Sequence, residues 1–152
     1  MLGHGETEPH REVGGVLLGT ISANSGSHCT LLEDIVPALL AVASATHLTF
    51  THETWVQIHR DIDSREDGLV IAGWYHTHPG FGPFYSAHDM FIHRNFFADP
   101  GHIGVVLDPV HTSISVFGWF QGEVRKLPGC LVHAAEDDHE ELDALLQKAT
   151  YA

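Results

Sequence analysis

The residues best suited to hold a metal ion lie in one short stretch around position 80. His76 and His78 end an apolar run, and Asp89 follows after a loop rich in glycine and proline. In extended chain, side chains at i and i+2 point the same way, so the two imidazoles can converge on one ion. Asp89 is expected in the first turn of the next helix, facing the strand end. Three such ligands leave a fourth tetrahedral position open, which is typical of a catalytic zinc ion, one per chain.

Two further residues could supply the acid–base and electrostatic parts of a hydrolysis. Glu12 directly precedes the apolar segment VGGVLLG, so its carboxylate could point into the site and take and deliver protons. Ser86 is predicted at a helix N-terminus, where its hydroxyl could donate to a developing oxyanion. In most proteins, however, a serine there is only a helix cap, and Asp89 would only favour the helix dipole. His88, beside Asp89, could orient a ligand or contact substrate.

Other histidine patterns are weaker. His52-Glu53 begins like the two-histidine helical zinc motif, but Val56 stands where the second histidine is required. His59 is seven residues after His52, and a solvated helix surface explains that spacing better than a metal site. The zinc deaminase signature H-x-E…P-C-x-x-C is absent. The remaining histidines, His93 among them, are expected mostly on the surface.

Apolar periodicity and turn residues predict a mixed α/β (α+β) protein in which strands position these side chains. A polar lead over residues 1–11 is followed by one predicted domain, residues 12–152. Pro37–Ala45 is apolar but short, and it fits a core segment, a small helix or an exposed loop. The predicted strands are Val13–Ile21, His28–Val36, Leu48–Thr51, Leu69–Tyr75, Ile103–Leu107, Ser113–Phe120 and Val124–Leu127. The predicted helices are Thr51–Asp63, Ser86–Phe97 and Glu136–Ala149, and Ser22–Ser27 is predicted as a turn.

The composition narrows the function classes. The chain has 152 residues, 7 Lys+Arg against 20 Asp+Glu, and a formal net charge of −13, which disfavours nucleic-acid binding. No apolar run is long enough for a membrane span. Two cysteines make neither a disulfide framework nor a cysteine metal site, so a reducing, cytoplasmic compartment is expected. Because 14 residues are histidine, an isolated H-x-H pair is as easily explained by chance as by metal binding.

The joint pattern is far more specific than its parts. Glu12, His76-Thr77-His78, then Ser86 and Asp89 resemble the motif of the JAMM (MPN-plus) metalloproteases, an upstream Glu followed by H-[ST]-H-x7-S-x2-D. The segments EVGGVLLG, VIAGWYHTHPGFGPFYSAHD and GVVLDPV look most like the proteasome-lid deubiquitinase branch. The resemblance covers about residues 12–120 and implies a curved mixed sheet flanked by helices, similar to cytidine deaminases.

The resemblance also implies roles and a substrate class. His76, His78 and Asp89 would bind zinc, Glu12 would be the general base and acid, and Ser86 would support the oxyanion. The family cleaves isopeptide or peptide bonds after the tails of ubiquitin-like proteins, so a ubiquitin-like or sulfur-carrier protein is the expected partner. A non-catalytic MPN scaffold and a hydrolase of a small amide are the alternatives.

A groove for such a tail is expected beside the metal site. Residues 37–47 and Phe81–Tyr85 are its predicted walls, with Phe81 and Tyr85 as substrate contacts. Gly14, Gly15 and Gly80 would let the tail approach the backbone and lie as an added strand. For Gly14 and Gly15, the alternative is that another strand of the protein itself, rather than the tail, passes close to the glycine backbone.

One departure from the family concerns the N-terminus. Family members usually place a strand and a long helix before the glutamate, whereas eleven residues precede Glu12. Helix 136–149, with an apolar stripe formed by Leu142, Leu145, Leu146 and Ala149, is a candidate cover for the exposed sheet face; a place elsewhere on the surface is the alternative. The helix could cover the sheet of its own chain or that of a symmetric partner, and the second arrangement would be a homodimer.

Overall fold

The computed structural model describes residues 1, 10–44, 47–131 and 150–151. Helix 136–149 and most of the N-terminal lead lie outside these residues. Their structure, the extent of the domain and the homodimer therefore stay predictions. The strands are β1 (Gly14–Asn24), β2 (Ser27–Pro37), β3 (Val42–Ala43), β4 (Leu48–Thr49), β5 (Val70–Thr77), β6 (Ile103–Asp108), β7 (Ser113–Phe120), β8 (Glu123–Lys126) and β9 (Thr150–Tyr151). The helices are α1 (His52–Asp63) and α2 (Ala87–Phe96).

Seven of the strands form one mixed sheet. Its order is β2-β1-β5-β6-β7-β8, with β9 pairing to β7. The contacts of β5 with β6 and of β7 with β9 are parallel, and the other contacts are antiparallel. Helix α2 makes the crossover from β5 to β6 that a parallel pair requires. The predicted fold class, a curved mixed sheet flanked by helices, is confirmed.

The predicted elements within the described residues occur in the expected order, and three details differ, one of them the additional strand β9. The β1–β2 hairpin is longer than predicted, because its turn needs only Ser25 and Gly26, both with positive φ. The segment after Pro37 is a turn followed by β3, which pairs with β4 in a separate two-stranded ribbon. The apolar segment after Pro37 therefore forms a turn and one strand of this ribbon, and not a helix.

The core divides between the two faces of the sheet, as strand alternation requires. Trp74 of β5 faces the helices and packs with Ile58 of α1 and Ile92 of α2. Its neighbour Tyr75 faces the other side and packs with Leu17 and strand residues. His76 follows in the alternation, so it shares the helix-covered face with Trp74.

Both described helices begin with the caps that the sequence predicts. The Thr51 side chain accepts from the backbone N–H of Thr54, and the Thr54 side chain accepts from the backbone N–H of Thr51. Ser86 and Asp89 form the same reciprocal capping box at the start of α2. Neither helix is long and apolar enough to cross a membrane.

Candidate metal centre and active site

The site is built at the end of β5. His76 is still paired within the sheet, to Gly14 of β1 and Val106 of β6, and His78 directly follows the last residue of the strand. Thr77, between them, points away and ties β5 to the chain before β1. Its hydroxyl accepts from the Val13 backbone N–H at 3.0 Å, and its backbone N–H donates to the Val13 carbonyl at 2.9 Å. The backbone N–H of His78 donates to the Leu107 carbonyl at 2.8 Å. Both flanks of the histidine pair are therefore held by neighbouring chain segments.

The three candidate ligand atoms converge as the spacing predicts. The Nε2 atoms of His76 and His78 are 3.1 Å apart. Asp89 places Oδ1 3.3 Å from the first of them and Oδ2 3.6 Å from the second. Ligands at about 2.0–2.1 Å from a tetrahedral zinc ion are separated by about 3.3–3.4 Å. The three side chains are buried, and they form a group that could hold a metal ion.

Each ligand is oriented by a second contact. His78 donates from Nδ1 to the Gly82 carbonyl at 3.2 Å, which leaves the Nε2 lone pair free for a metal. The His76 ring stacks on Trp74, with ring centroids 4.5 Å apart, and its Nδ1 is buried without a hydrogen-bond partner. Asp89 accepts the Ser86 backbone N–H at 2.7 Å. Its carboxylate thus caps α2 and faces the histidines at once.

Glu12 reaches this group from a distant part of the sequence. Its backbone N–H donates to the Ser44 carbonyl at 2.8 Å, which anchors it to the loop after β3. Its side chain is buried, with Oε1 3.5 Å from Nε2 of His78, and Oε2 has no hydrogen-bond partner among the residues that the structure describes. Burial raises the pKa of Glu12 to about 7; the charge of His78 opposes this shift and that of Asp89 adds to it. A carboxylate with such a pKa can both take and release a proton near neutral pH.

The protonation of the other three side chains follows from their surroundings. Burial lowers the pKa of His76 and so favours the neutral imidazole that a metal needs. Burial also opposes the charged forms of His78 and Asp89, but the contacts between them outweigh it. The close contacts of both histidine rings hold the pKa of Asp89 well below its usual range, and Asp89 and Glu12 raise the pKa of His78.

A cavity of about 340 Å³ opens next to the metal group. Ser86 lines it, and because its oxygen accepts the Asp89 backbone N–H, its own hydroxyl hydrogen remains able to donate. His88 donates from Nε2 to the Leu48 carbonyl at 3.1 Å and lies edge-on to His47. Besides Ser86, the lining residues are Glu12, His47, His78, Phe81, Phe84, Ala87 and His88.

Comparison with known proteins identifies the family. The family model described as prokaryotic homologs of the JAB domain matches residues 1–117. The chain belongs to this family. Subunit 5 of the COP9 signalosome complex from Candida albicans is 28% identical over 115 residues, which is 74% of this chain. The same subunit from Eremothecium gossypii is 40% identical over 52 residues, 32% of this chain. The JAB domain aligns with only 19% and 12% of these two proteins.

A solved structure supports the fold. The solution structure of protein DSY2949 from Desulfitobacterium hafniense matches with a TM-score of 0.58 and 21% sequence identity. The match covers 91% of this chain and 90% of that one. At this identity the likeness speaks for the fold alone.

Several residues expected at the substrate groove have other surroundings in this JAB domain. Gly14 and Gly15 lie inside the sheet between β2 and β5, where an added Cβ would come within 2.4 Å of the Tyr75 carbonyl or 2.2 Å of the Val36 carbonyl. The close backbone is therefore the protein's own. Tyr85 lies outside the cavity lining, stacked on Phe117 at 3.9 Å.

Residues 80–85, the loop after β5, make two kinds of contact: some line the cavity, and others hold the loop to the neighbouring chain. Phe81 and Phe84 line the cavity, so this part of the expected groove wall is in place. Gly80 is not among the lining residues; its backbone N–H donates to Asp108 Oδ1 at 2.9 Å. Contact of any of these residues with substrate stays a prediction.

Two residues near the metal group, His93 and Asp108, have buried contacts that were not expected from the sequence. His93, expected on the surface, is fully buried, and its Nδ1 contacts the Tyr85 hydroxyl at 3.0 Å and Nε1 of Trp74 at 3.3 Å. Its spacing along the predicted helix, three residues after Met90 and four before Phe97, was the available signal, because such positions share a helix face. No role was expected for Asp108, which stands between two predicted strands.

Proposed function

We propose that this JAB domain is a zinc-dependent isopeptidase or peptidase that cleaves after the C-terminal tail of a ubiquitin-like or sulfur-carrier protein. The observation that carries the proposal is the buried Glu12 carboxylate beside the His76, His78 and Asp89 group, at the wall of an open cavity. A structural metal site needs no carboxylate beside an open position, whereas a hydrolytic site needs one to move protons.

The donor set suits zinc. Two imidazole nitrogens and one carboxylate oxygen are zinc ligands in known hydrolytic sites. His76 and His78 offer nitrogens 3.1 Å apart, and the two oxygens of Asp89 lie 3.3 and 3.6 Å from them. Zinc bound there would polarise the scissile carbonyl and lower the pKa of water.

Glu12 would move the protons of the reaction. Its carboxylate takes a proton from the attacking water, whose oxygen bonds to the carbonyl carbon. The resulting carboxylic acid then gives the proton to the leaving amine nitrogen as the C–N bond breaks. Ser86 would donate its hydroxyl hydrogen to the carbonyl oxygen as negative charge develops there.

The substrate class rests on family membership and on the shape of the site. The JAB family includes metalloisopeptidases. In the cavity, Phe81 and Phe84 offer apolar walls to a narrow, extended tail, whose glycines would fit between them. The acidic chain, with a net charge of −13, would favour a tail that carries basic residues before its glycines.

The test is cleavage of a ubiquitin-like protein fused through a Gly-Gly tail to a second protein. Zinc-loaded wild-type protein should cleave at the tail, and a chelator should stop it. Glu12→Gln should retain zinc but lose turnover on the order of 10²-fold or more, because an amide cannot carry the proton. His76→Ala should lose both zinc and activity, since two ligands remain.

Two controls separate the alternatives. His59→Ala, on an exposed part of α1, should leave zinc content and cleavage unchanged. A short Gly-Gly anilide tests the small-amide hydrolase, which would cleave it as well as the fusion. Zinc binding by wild type without cleavage of either substrate would favour the scaffold and contradict the proposal.

A further inference from the structure

Asp108, at the end of β6, is a buried carboxylate with an unusual number of hydrogen bonds. Oδ1 accepts the backbone N–H groups of Gly80, Val110 and His111 at 2.9, 2.9 and 3.2 Å. Oδ2 accepts the Gly82 backbone N–H at 2.9 Å and Nδ1 of His111 at 2.7 Å. The side chain has no solvent exposure. The β6–β7 turn accounts for the bonds from its own residues, but not for those from the loop after β5.

The loop bonds lead to a candidate metal ligand. Gly82 donates its N–H to Asp108 and, through its carbonyl oxygen, accepts from Nδ1 of His78 at 3.2 Å. One residue therefore links the buried carboxylate to the imidazole ring. Gly80 adds a second attachment of the same loop to the same side chain. Burial alone would raise the pKa of Asp108, but these hydrogen bonds and that from His111 lower it to about 2, so the acceptor is charged.

We propose that Asp108 is a positioning residue for His78, acting through the Gly80–Gly82 loop; this inference rests on the metal site of the proposed function. A carboxylate only accepts hydrogen bonds, so its two oxygens hold the loop in one arrangement. The Gly82 carbonyl then keeps the proton of His78 on Nδ1 and the Nε2 lone pair toward the metal. In many metal sites a carboxylate contacts the histidine ligand directly, whereas here one glycine lies between them.

The first experiment compares two isosteric substitutions in the full chain. Asp108→Asn replaces one acceptor oxygen with an NH₂ group that faces backbone donors. Asp99→Asn is the matched control, because Asp99 Oδ1 accepts the Gly101 backbone N–H at 2.8 Å in the turn before β6. Titration with Co²⁺, followed by its absorption spectrum, gives metal affinity. The melting temperature of the chelator-treated protein gives stability separately.

Asp108→Asn should bind Co²⁺ about 10- to 100-fold more weakly than wild type, the usual loss when a supporting partner is removed. Asp99→Asn should bind like wild type even if its melting temperature falls. Equal affinities of Asp108→Asn and wild type would overturn the inference while leaving the metal site intact. If wild type itself binds no Co²⁺, both the inference and the proposed function fail.

A second pair of variants covers the case in which Asp108→Asn does not fold. Gly82 and Gly122 have nearly the same positive φ, 82° and 79°, and each has open space where a Cβ would stand. Alanine at either position imposes similar backbone strain. Gly82→Ala should weaken Co²⁺ binding several-fold by displacing the carbonyl that His78 uses, whereas Gly122→Ala should not. Equal affinities in the two variants would contradict the inference.

Discussion

Replacing Glu12 with glutamine should stabilise the metal-free protein at alkaline pH. The Glu12 side chain is 3% exposed, and Oε2 has no hydrogen-bond partner. Its neighbours are the His78 ring and, farther along the site, the Asp89 carboxylate, so the charged form is poorly compensated. Glu12→Gln keeps the shape of the side chain and removes the charge.

The sign follows from proton binding by the two states. Burial raises the pKa of Glu12 from 4.5 to about 7 in the folded protein. Between these values the folded state keeps a proton that the unfolded state has released. Stability of the wild type therefore falls as the pH rises through this window. The full shift corresponds to a loss on the order of 3 kcal/mol, most of it between pH 5 and pH 8.

Urea unfolding of chelator-treated protein measures the effect. The unfolding free energy of Glu12→Gln minus that of wild type should increase by about 2–3 kcal/mol from pH 5 to pH 8. Titrating groups away from the site are common to both proteins and cancel in the difference. His78 does not cancel fully, because Glu12 raises its pKa. Glu66→Gln, which removes the same charge from an exposed position, should show no such trend. A difference that stays constant with pH would refute the reasoning.

Two more pairs of substitutions test the support of the site. Ser86→Ala and Thr51→Ala each remove an N-cap with a complete capping box, so each should lower the free energy of unfolding in urea by about 1 kcal/mol. Only Ser86→Ala should also slow cleavage of the fusion substrate. If the two variants turn over the substrate equally fast, Ser86 acts only as a helix cap. Gly104→Ala would place Cβ 1.6 Å from the Tyr85 hydroxyl and should lower the free energy of unfolding by about 1–3 kcal/mol. At Gly118 the nearest atoms belong to a flexible leucine side chain 3.2 Å away, so Gly118→Ala should lower the free energy of unfolding by less.

The part of the site that lies within one segment of chain was predictable. His76 and His78 converge because alternate residues of an extended chain share a side, whatever surrounds them. Asp89 faces them because a capping box fixes the third residue of a helix relative to its first. Strand alternation determines the first feature and hydrogen bonds between near neighbours the second, so the type and spacing of the residues were sufficient to expect both.

Residues brought in from elsewhere were predictable only through the family motif. The motif places Glu12 in the site, but its unpartnered Oε2 follows from the anchoring to Ser44 and the fit beside His78. Gly14 and Gly15 indicated that another backbone passes close to them. The sheet order shows that this backbone belongs to β2 and β5.

The sequence by itself determined the apolar strands, the two capped helices and the spacing of the metal-binding residues, because these depend on periodicity and on contacts between neighbours along the chain. The tertiary structure decided which segments meet. It brought Asp108 under the loop that holds His78, and it buried His93 against Trp74 and Tyr85. A buried polar group forms hydrogen bonds with the groups that the packed strands and helices place within reach. Those partners are distant in sequence, so they cannot be predicted from the residues around the polar group.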